Sequence, residues 1–219
     1  MSISKILTLG SGRNLFLPAH GRGAALPEEL KALLKKRAGV WDLPELPHIG
    51  GPLIAKGAVA DSQKKVAELV GVEKGWYGVN GATGLLQAAL LAIAKPGEAV
   101  LLPRNVHRSL IQACALGEIT PVFFDLPYLN DRGHFAPPDK SWIKRILAKL
   151  TNLQIKLSAV ILVNPTYHGY AINLRPFVDE FHKRKLPVIV DEAHGAHFLI
   201  GLDKTLPESA IYAGADCVV

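Results

Sequence analysis

Asp191 stands where an apolar run gives way to a turn of small residues with two histidines, in the stretch VIVDEAHGAHF (188–198). A carboxylate at the end of a buried strand is costly without a cationic partner, so Asp191 is expected to hold a permanent cation. The alternative is a helix N-cap, because aspartate is a favoured capping residue. The residues EAHGAH that follow are poor in strong helix formers and rich in glycine and alanine, which leaves room for a ligand.

A second candidate is the stretch NGATG (80–84), which lies between a predicted strand and a predicted helix. Glycines let the backbone approach a ligand closely, and the free N–H groups of a first helical turn favour an anion. Thr83 adds a hydroxyl donor. Alone the stretch also fits an ordinary tight turn, because it is neither GxGxxG nor a P-loop.

A third candidate is His107 in the stretch PRNVHRS (103–109), which follows the apolar run AVLL. A histidine at the end of a strand can stack on a flat ring or move protons. A single histidine in a loop is usually an ordinary surface residue. A functional role for His107 is therefore inferred only together with the two other stretches.

Short apolar runs alternate with segments of helical spacing along most of the chain. The strands are predicted at 76–79, 99–102, 121–124, 159–163, 188–190 and 215–219, and the helices at 28–38, 56–70, 84–94, 109–116, 139–151 and 175–185, with a Pro-rich loop at 42–52. Nearly continuous apolar strands are typical of a sheet covered by helices on both faces. The fold class is therefore predicted as α/β, with a mostly parallel sheet flanked by helices. Ligands bind such sheets at the carboxyl ends of the strands, where all three stretches fall.

Together the three stretches describe a site for an aromatic cofactor with a phosphate at one end and a protonatable ring nitrogen at the other. The helix start at 82–84 takes the phosphate, His107 covers one face of the ring, and Ala193 packs on the other face. Asp191 pairs with the ring nitrogen and keeps it protonated. Pyridoxal 5'-phosphate fits this description, because an aspartate partner is the expected electronic tuning of its pyridinium.

Six stretches, which occur in the order and spacing that the family has, resemble the ornithine/lysine/arginine decarboxylase family of fold-type-I pyridoxal-phosphate enzymes. They are LPAHGRG (17–23), DLPELP (42–47), VNGATG (79–84), PRNVHRS (103–109), NPTYHG (164–169) and VDEAHGAH (190–197). The resemblance implies an aminotransferase-like major domain that decarboxylates a basic amino acid (lysine, ornithine or arginine) to the amine and carbon dioxide, as in polyamine biosynthesis. It also implies a homo-oligomer, a dimer or larger, with active sites at subunit interfaces. A cytoplasmic location is the default expectation for a sequence in which no signal peptide or membrane span is recognised.

The resemblance further implies a role for each site residue. The cofactor-binding residues would be Ala82, Thr83, Gly84, His107, Thr166, Asp191, Ala193 and His194, and no metal is expected. His107 and His194 would act in catalysis, with His194 near the ring hydroxyl and the substrate carboxylate.

Two segments are expected: an N-terminal helix and Pro/Gly-rich loop at 1–55, and an incomplete cofactor-binding large domain at 56–219. In the family, the strand that begins at Gly214 continues into Ser/Thr-x-His-Lys, whose lysine forms the Schiff base with the cofactor. The sequence stops at Val219, before this motif and before the family's small C-terminal domain. We therefore expect the 219 residues alone to be inactive, and Lys204 to be an ordinary surface lysine that does not substitute for the missing one.

Two other interpretations stay open. A split subunit or a non-catalytic remnant would bind pyridoxal phosphate and need a second polypeptide that supplies the lysine. A metal hydrolase would use Asp191, His194 and His197, whose D-x-x-H-x-x-H spacing could gather three ligands on one turn. No other acid-rich loop supports a metal site, and the NGATG stretch would then have no explanation.

Composition restricts the class of protein and the kind of partner that the chain can have. A chain of 219 residues with 49% hydrophobic content suits one large domain or a domain and a half. No apolar run is long enough to span a membrane, no signal peptide is recognisable, and the two cysteines lie too far apart to indicate a disulfide framework. The net charge of +6 comes from scattered lysines and arginines, so no nucleic-acid partner is expected. The expected partner is a small basic amino acid.

Overall fold

The structure is a computed structural model that describes residues 24–36, 42–51, 53–152, 155–201 and 203–219. The chain divides into two compact units, Met1–Ala60 and Asp61–Val219. The LPAHGRG stretch (17–23) lies outside the described residues. No helix among the described residues is both long and apolar enough to cross a membrane.

The first unit contains the helix α1 (Glu28–Leu34) and the loop 42–51, which forms turns. Two glutamates in the first turn of α1 favour its start, because negative charge complements the positive end of a helix. The helix is shorter than the predicted 28–38. It ends at Leu34, and the residues beyond 36 lie outside the description. The loop predicted at 42–52 is confirmed over its described residues.

The remaining elements follow in regular alternation. The helices are α2 (Ala58–Val70), α3 (Gly81–Ile93), α4 (Arg108–Leu116), α5 (Lys140–Asn152) and α6 (Arg175–His182), with a 3-10 helix at Ala196–Ile200. The strands are β1 (Ala99–Pro103), β2 (Thr120–Phe124), β3 (Tyr128–Leu129), β4 (His134–Phe135), β5 (Leu157–Val163), β6 (Val188–Asp191) and β7 (Cys217–Val218).

Five strands form one parallel sheet in the order β2-β1-β5-β6-β7, and β3 and β4 form a separate antiparallel pair. The predicted fold class, an α/β fold with a mostly parallel sheet flanked by helices, is confirmed. Each central strand contributes side chains to two apolar clusters, because successive side chains point to opposite faces of the sheet. In β6, Val188 and Val190 join the cluster under α5 and α6, whereas Ile189 joins the cluster under α3 and α4. Burial on both faces explains why these strands read as unbroken apolar runs.

The strand predicted at 76–79 is wrong. The backbone N–H of Tyr77 donates to Oε1 of Gln63 in α2 at 2.8 Å, so this amide bonds a helix side chain and no strand ladder. Val79 is 93% exposed, and Trp76 is 58% exposed. Aromatic and β-branched residues raise strand propensity, but a strand also needs a neighbour to receive its hydrogen bonds.

Three smaller differences concern ends and short elements. Helix α3 begins at Gly81 rather than at 84, and α6 ends at His182 rather than at 185. The β3–β4 hairpin and the 3-10 helix were not predicted, because two-residue strands and a single turn of small residues carry no periodic signal.

Candidate functional site

A cavity of about 480 Å³ lies where β5 and β6 end and where α3 and α4 begin. Six of the eight predicted cofactor-binding residues line it: Ala82, Thr83, His107, Asp191, Ala193 and His194. They come from three separate parts of the chain. His107 follows β1, and the residues at 191–194 lie at or just after the end of β6, so the parallel sheet brings these to one edge. Ala82 and Thr83 belong to the first turn of α3, which no strand among the described residues precedes directly.

The other two predicted residues do not line this cavity. The N–H of Gly84 donates weakly to the carbonyl of Asn80 at 3.4 Å, as part of the first turn of α3. Thr166 is 5% exposed, and its Oγ1 accepts the N–H of Tyr170 at 3.2 Å. Thr166 therefore holds the turn 166–170 together, and its predicted contact with a cofactor stays a prediction.

Asp191 is the buried acid of the cavity. It is the last residue of β6 and is 7% exposed. Its Oδ1 accepts the N–H of Ala193 at 3.2 Å. Burial raises the pKa of Asp191 above its ordinary value, and the hydrogen bond from Ala193 and the electrostatic interaction with His107 and His194 oppose this only in part. A cation placed against this carboxylate would relieve the cost of its burial.

His107 is held in a fixed orientation at the start of α4, where it is the N-cap residue. Its Nδ1 accepts the N–H of Ser109 at 3.2 Å and lies 2.9 Å from the Ser109 hydroxyl. Ser109 is fully buried. Because Nδ1 accepts a backbone hydrogen bond, the neutral ring carries its proton on Nε2.

The first turn of α3 offers backbone donors. Asn80 is the N-cap, but its side chain makes no capping hydrogen bond. The first N–H groups of a helix have no partner within the helix, so those of Ala82 and Thr83 suit an anion. Gly81 has φ +61°, a conformation that favours glycine, and a Cβ added there would meet open space.

Asp191 and its neighbour Glu192 are both buried acids, but their carboxylates have different surroundings. Oε2 of Glu192 accepts the hydroxyl of Ser209 at 3.0 Å and the N–H of Ala210 at 2.8 Å, away from the cavity. Oε1 of Glu192 is buried, and no partner for it lies among the described residues. Burial raises the pKa of Glu192, as it does for Asp191. Glu192 stabilises the connection to residues 209–210, whereas Asp191 faces the cavity.

The arrangement needed for a three-ligand metal site is not present in the described part of the chain. His197 lines a second cavity, with Asp203 and Tyr212, whereas Asp191 and His194 line the first. No group of three or more histidine, cysteine, aspartate or glutamate residues suited to a metal occurs among the described residues. The interpretation as a metal hydrolase therefore has no support.

Comparison with known proteins places the chain in a family. Residues 17–218 match the family profile described as "Orn/Lys/Arg decarboxylase, major domain". The chain belongs to this family. The resemblance noted in the sequence is thereby confirmed.

Curated members of the Orn/Lys/Arg decarboxylase family show how much of a longer protein this chain represents. An arginine decarboxylase of Bacillus subtilis (strain 168) is 30% identical over 200 residues, which cover 91% of this chain and 40% of that protein. An ornithine decarboxylase of Haemophilus influenzae is 31% identical over 146 residues, which cover 60% of this chain and 20% of that protein. The chain thus spans about 40% of the length of the Bacillus relative.

A solved structure supports the fold. A complex described as SepCysS with the N-terminal domain of SepCysE superposes with a TM-score of 0.65 at 15% identity, over 88% of this chain and 47% of that chain. At this identity the similarity concerns the fold alone.

The cavity of this Orn/Lys/Arg decarboxylase family member includes residues that sequence reasoning did not assign to the site. Asn105 and Arg108 flank His107 within PRNVHRS, and this adjacency was a usable signal. Oδ1 of Asn105 is buried without a partner among the described residues. Tyr167 is 83% exposed and meets His194 edge to face, with ring centroids 5.9 Å apart. Tyr167 is adjacent to Thr166 within NPTYHG, so its position in the sequence offered the same kind of signal.

Proposed function

We propose that this chain forms the pyridoxal-phosphate-binding part of a decarboxylase that converts a basic amino acid into its amine and carbon dioxide. The observation that carries the proposal is the single cavity that gathers the helix start at Ala82 and Thr83, the fixed ring of His107, and the buried carboxylate of Asp191. Membership of the Orn/Lys/Arg decarboxylase family supports the reaction class.

The residues present fit this cofactor. Asp191 is a buried carboxylate that faces the cavity, and a protonated pyridine nitrogen is the cation that would compensate its charge. The open first turn of α3 suits a phosphate. A volume of about 480 Å³ lies within the range of small-molecule sites.

The side chains would divide the work as follows. Asp191 keeps a proton on the ring nitrogen, and His107, whose orientation Ser109 fixes, covers one face of the ring. Ala193 is small enough to lie against the other face, and His194 stands near the reacting group. When bound, the cofactor supplies the electron sink for the carbanion left by carbon dioxide.

We propose arginine as the first substrate to test, since relatives at 30% identity carry that name, with ornithine and lysine as the alternatives. Asp191 is the one acidic residue among the described residues that line the cavity, and in this proposal its carboxylate binds the ring nitrogen of the cofactor. The acid that recognises the basic end of the substrate therefore lies elsewhere in the assembled enzyme. A dimer or larger homo-oligomer with active sites at its interfaces, in the cytoplasm, would supply such a group.

The described lysines lie outside the lining of this cavity. We therefore expect the 219-residue polypeptide to bind pyridoxal phosphate reversibly, without a covalent link. Borohydride treatment of the complex, followed by peptide mass spectrometry, should show no single lysine labelled stoichiometrically, beyond the scattered labelling that exposed lysines give. A reduced lysine adduct within the cavity would contradict this expectation.

The function is tested with protein isolated from the cells that make it. Release of carbon dioxide is measured from carboxyl-labelled arginine, ornithine and lysine, with pyridoxal phosphate added. Release from one of the three is expected, and release from none would overturn the proposed reaction. Absorbance titration of the 219-residue polypeptide with pyridoxal phosphate separately tests the cofactor.

A further inference from the structure

Arg108 is an exposed cation of the cavity that has no partner among the described residues. It is the first residue of α4, and its side chain lines the cavity together with that of Thr83. Within the described ranges it forms neither a salt bridge nor a hydrogen bond. Arg104, four residues earlier, differs: its Nε lies 2.6 Å from Oδ1 of Asp125, and its guanidinium lies 5.5 Å from the centre of the Phe123 ring.

The position of Arg108 is electrostatically unfavourable for the free protein. A cation at the first turn of a helix meets the positive end of the helix dipole. The nine-residue helix α4 has no acidic residue in its first turn to compensate. A negatively charged ligand in the cavity would turn this unfavourable position into a favourable one.

The cavity is lined by charges of both signs, which come from different elements. The carboxylate of Asp191 lies at the end of β6, whereas Arg108 is the first residue of α4. Ala82 and Thr83, in the first turn of α3, line the same cavity. A ligand that carries both a cationic and an anionic group therefore suits this cavity.

We infer that Arg108 binds the phosphate group of bound pyridoxal phosphate. The inference rests on the proposed function. The substrate carboxylate is the other anion available to Arg108. In decarboxylation the bond between Cα and the carboxylate carbon breaks, the electron pair stays on Cα, and carbon dioxide leaves uncharged. A guanidinium on that carboxylate would stabilise the starting state more than the transition state and would slow the step.

The phosphate keeps its charge throughout the reaction, so a guanidinium bound to it holds the cofactor without opposing the chemistry. Arginine suits this task because its planar fork can donate two parallel hydrogen bonds to phosphate oxygens. Arg108 is then a binding residue that positions the cofactor relative to Asp191.

The test compares two ligands that differ only in the phosphate. Fluorescence titrations measure the Kd of the 219-residue polypeptide for pyridoxal 5'-phosphate and for pyridoxal. Loss of a charged hydrogen-bonding partner should weaken pyridoxal phosphate binding by Arg108→Gln roughly 10- to 150-fold and change pyridoxal binding less than about 2-fold. Arg108→Lys, which keeps the charge but not the fork, should lie between wild type and Arg108→Gln and serves if Arg108→Gln fails to fold.

Arg104→Gln is the matched control, because it removes an exposed arginine from the same loop that does not line the cavity. Its preference for the phosphate-bearing ligand should equal that of wild type. Equal losses for both ligands in Arg108→Gln, or no loss for either, would overturn the inference. A wild-type chain that binds neither ligand would instead overturn the proposed function. Weaker capture of arginine than of agmatine by the loaded Arg108→Gln variant, with cofactor affinity unchanged, would assign Arg108 to the substrate carboxylate.

Discussion

Replacement of Asp191 by asparagine separates the charge of this residue from its shape. Asparagine has nearly the same volume, and its carbonyl oxygen can still accept the N–H of Ala193 that Oδ1 accepts at 3.2 Å. What is lost is the negative charge offered to the pyridine nitrogen. A hydrogen bond to a charged group contributes about 1.5–3 kcal/mol, so the Kd for pyridoxal phosphate should rise roughly 10- to 150-fold.

The same replacement should stabilise the protein without ligand. Asp191 is 7% exposed, and burial raises its pKa above the ordinary 3.8. A folded-state pKa above the unfolded one means that stability is lost as the pH rises from the unfolded pKa through the folded pKa. At neutral pH the buried charge therefore costs stability, and Asp191→Asn should raise the free energy of unfolding. Weaker binding together with higher stability distinguishes this effect from general damage.

Glu192→Gln is the matched control, since it neutralises the neighbouring buried acid, which contacts Ser209 and Ala210 instead of the cavity. Absorbance titration gives the Kd for pyridoxal phosphate, and urea unfolding gives the stability of each ligand-free variant. Glu192→Gln should leave the Kd unchanged. An unchanged Kd in Asp191→Asn, or an equal loss in both variants, would refute the assignment of Asp191 to the ring nitrogen.

Three further predictions concern the same unit. The affinity for pyridoxal phosphate should fall as the pH is lowered through the raised pKa of Asp191, and titrations of Asp191→Asn should show a flatter pH profile. Ser109→Ala removes the hydroxyl 2.9 Å from Nδ1 of His107 and should weaken pyridoxal phosphate binding roughly 2- to 10-fold, measured by absorbance; an unchanged Kd would mean that the ring of His107 needs no such support. Trp142→Ala should destabilise the protein by about 3–5 kcal/mol in urea unfolding, because this 2% exposed ring fills the cluster under α5 and α6; a loss well below 1 kcal/mol would contradict that packing.

The sequence allowed the five strands of the parallel sheet and the residues at their ends to be predicted, because both depend on local pattern. The run VILV in β5 is apolar at every position since alternate side chains enter two different clusters. A break in such a run marks the place where the strand leaves the core. Asp191 follows one such break and His107 follows another, and this is why these distant residues could be assigned to one site.

Features that depend on neighbours could not be predicted in this way. The segment 76–79 has the composition of a strand, but Tyr77 bonds to a helix side chain. Tyr167 reaches the cavity through the turn 166–170, which Thr166 and Tyr170 hold together. Arg108 could not be assigned to the phosphate from the sequence. The assignment depends on its having no partner among the described residues, and a sequence does not show which charges are paired.

For the adjacent acids Asp191 and Glu192, the local sequence pattern does not decide which one faces the cavity; the packing of the sheet against the helices does. Glu192 follows β6 directly, and its N–H donates to the carbonyl of Val219 at 2.7 Å, so the alternation of the strand continues to this residue. The two acids therefore face opposite sides, and only one can face a ligand. Asp191 shares the face of Ile189, which packs under α3 and α4, and the first turns of these helices border the cavity. Glu192 shares the face of Val190 and bonds to Ala210, which belongs to the other cluster. A register shift of one residue would exchange the two acids. Substitutions at 191 and 192 therefore test the register of β6 as well as the cofactor site.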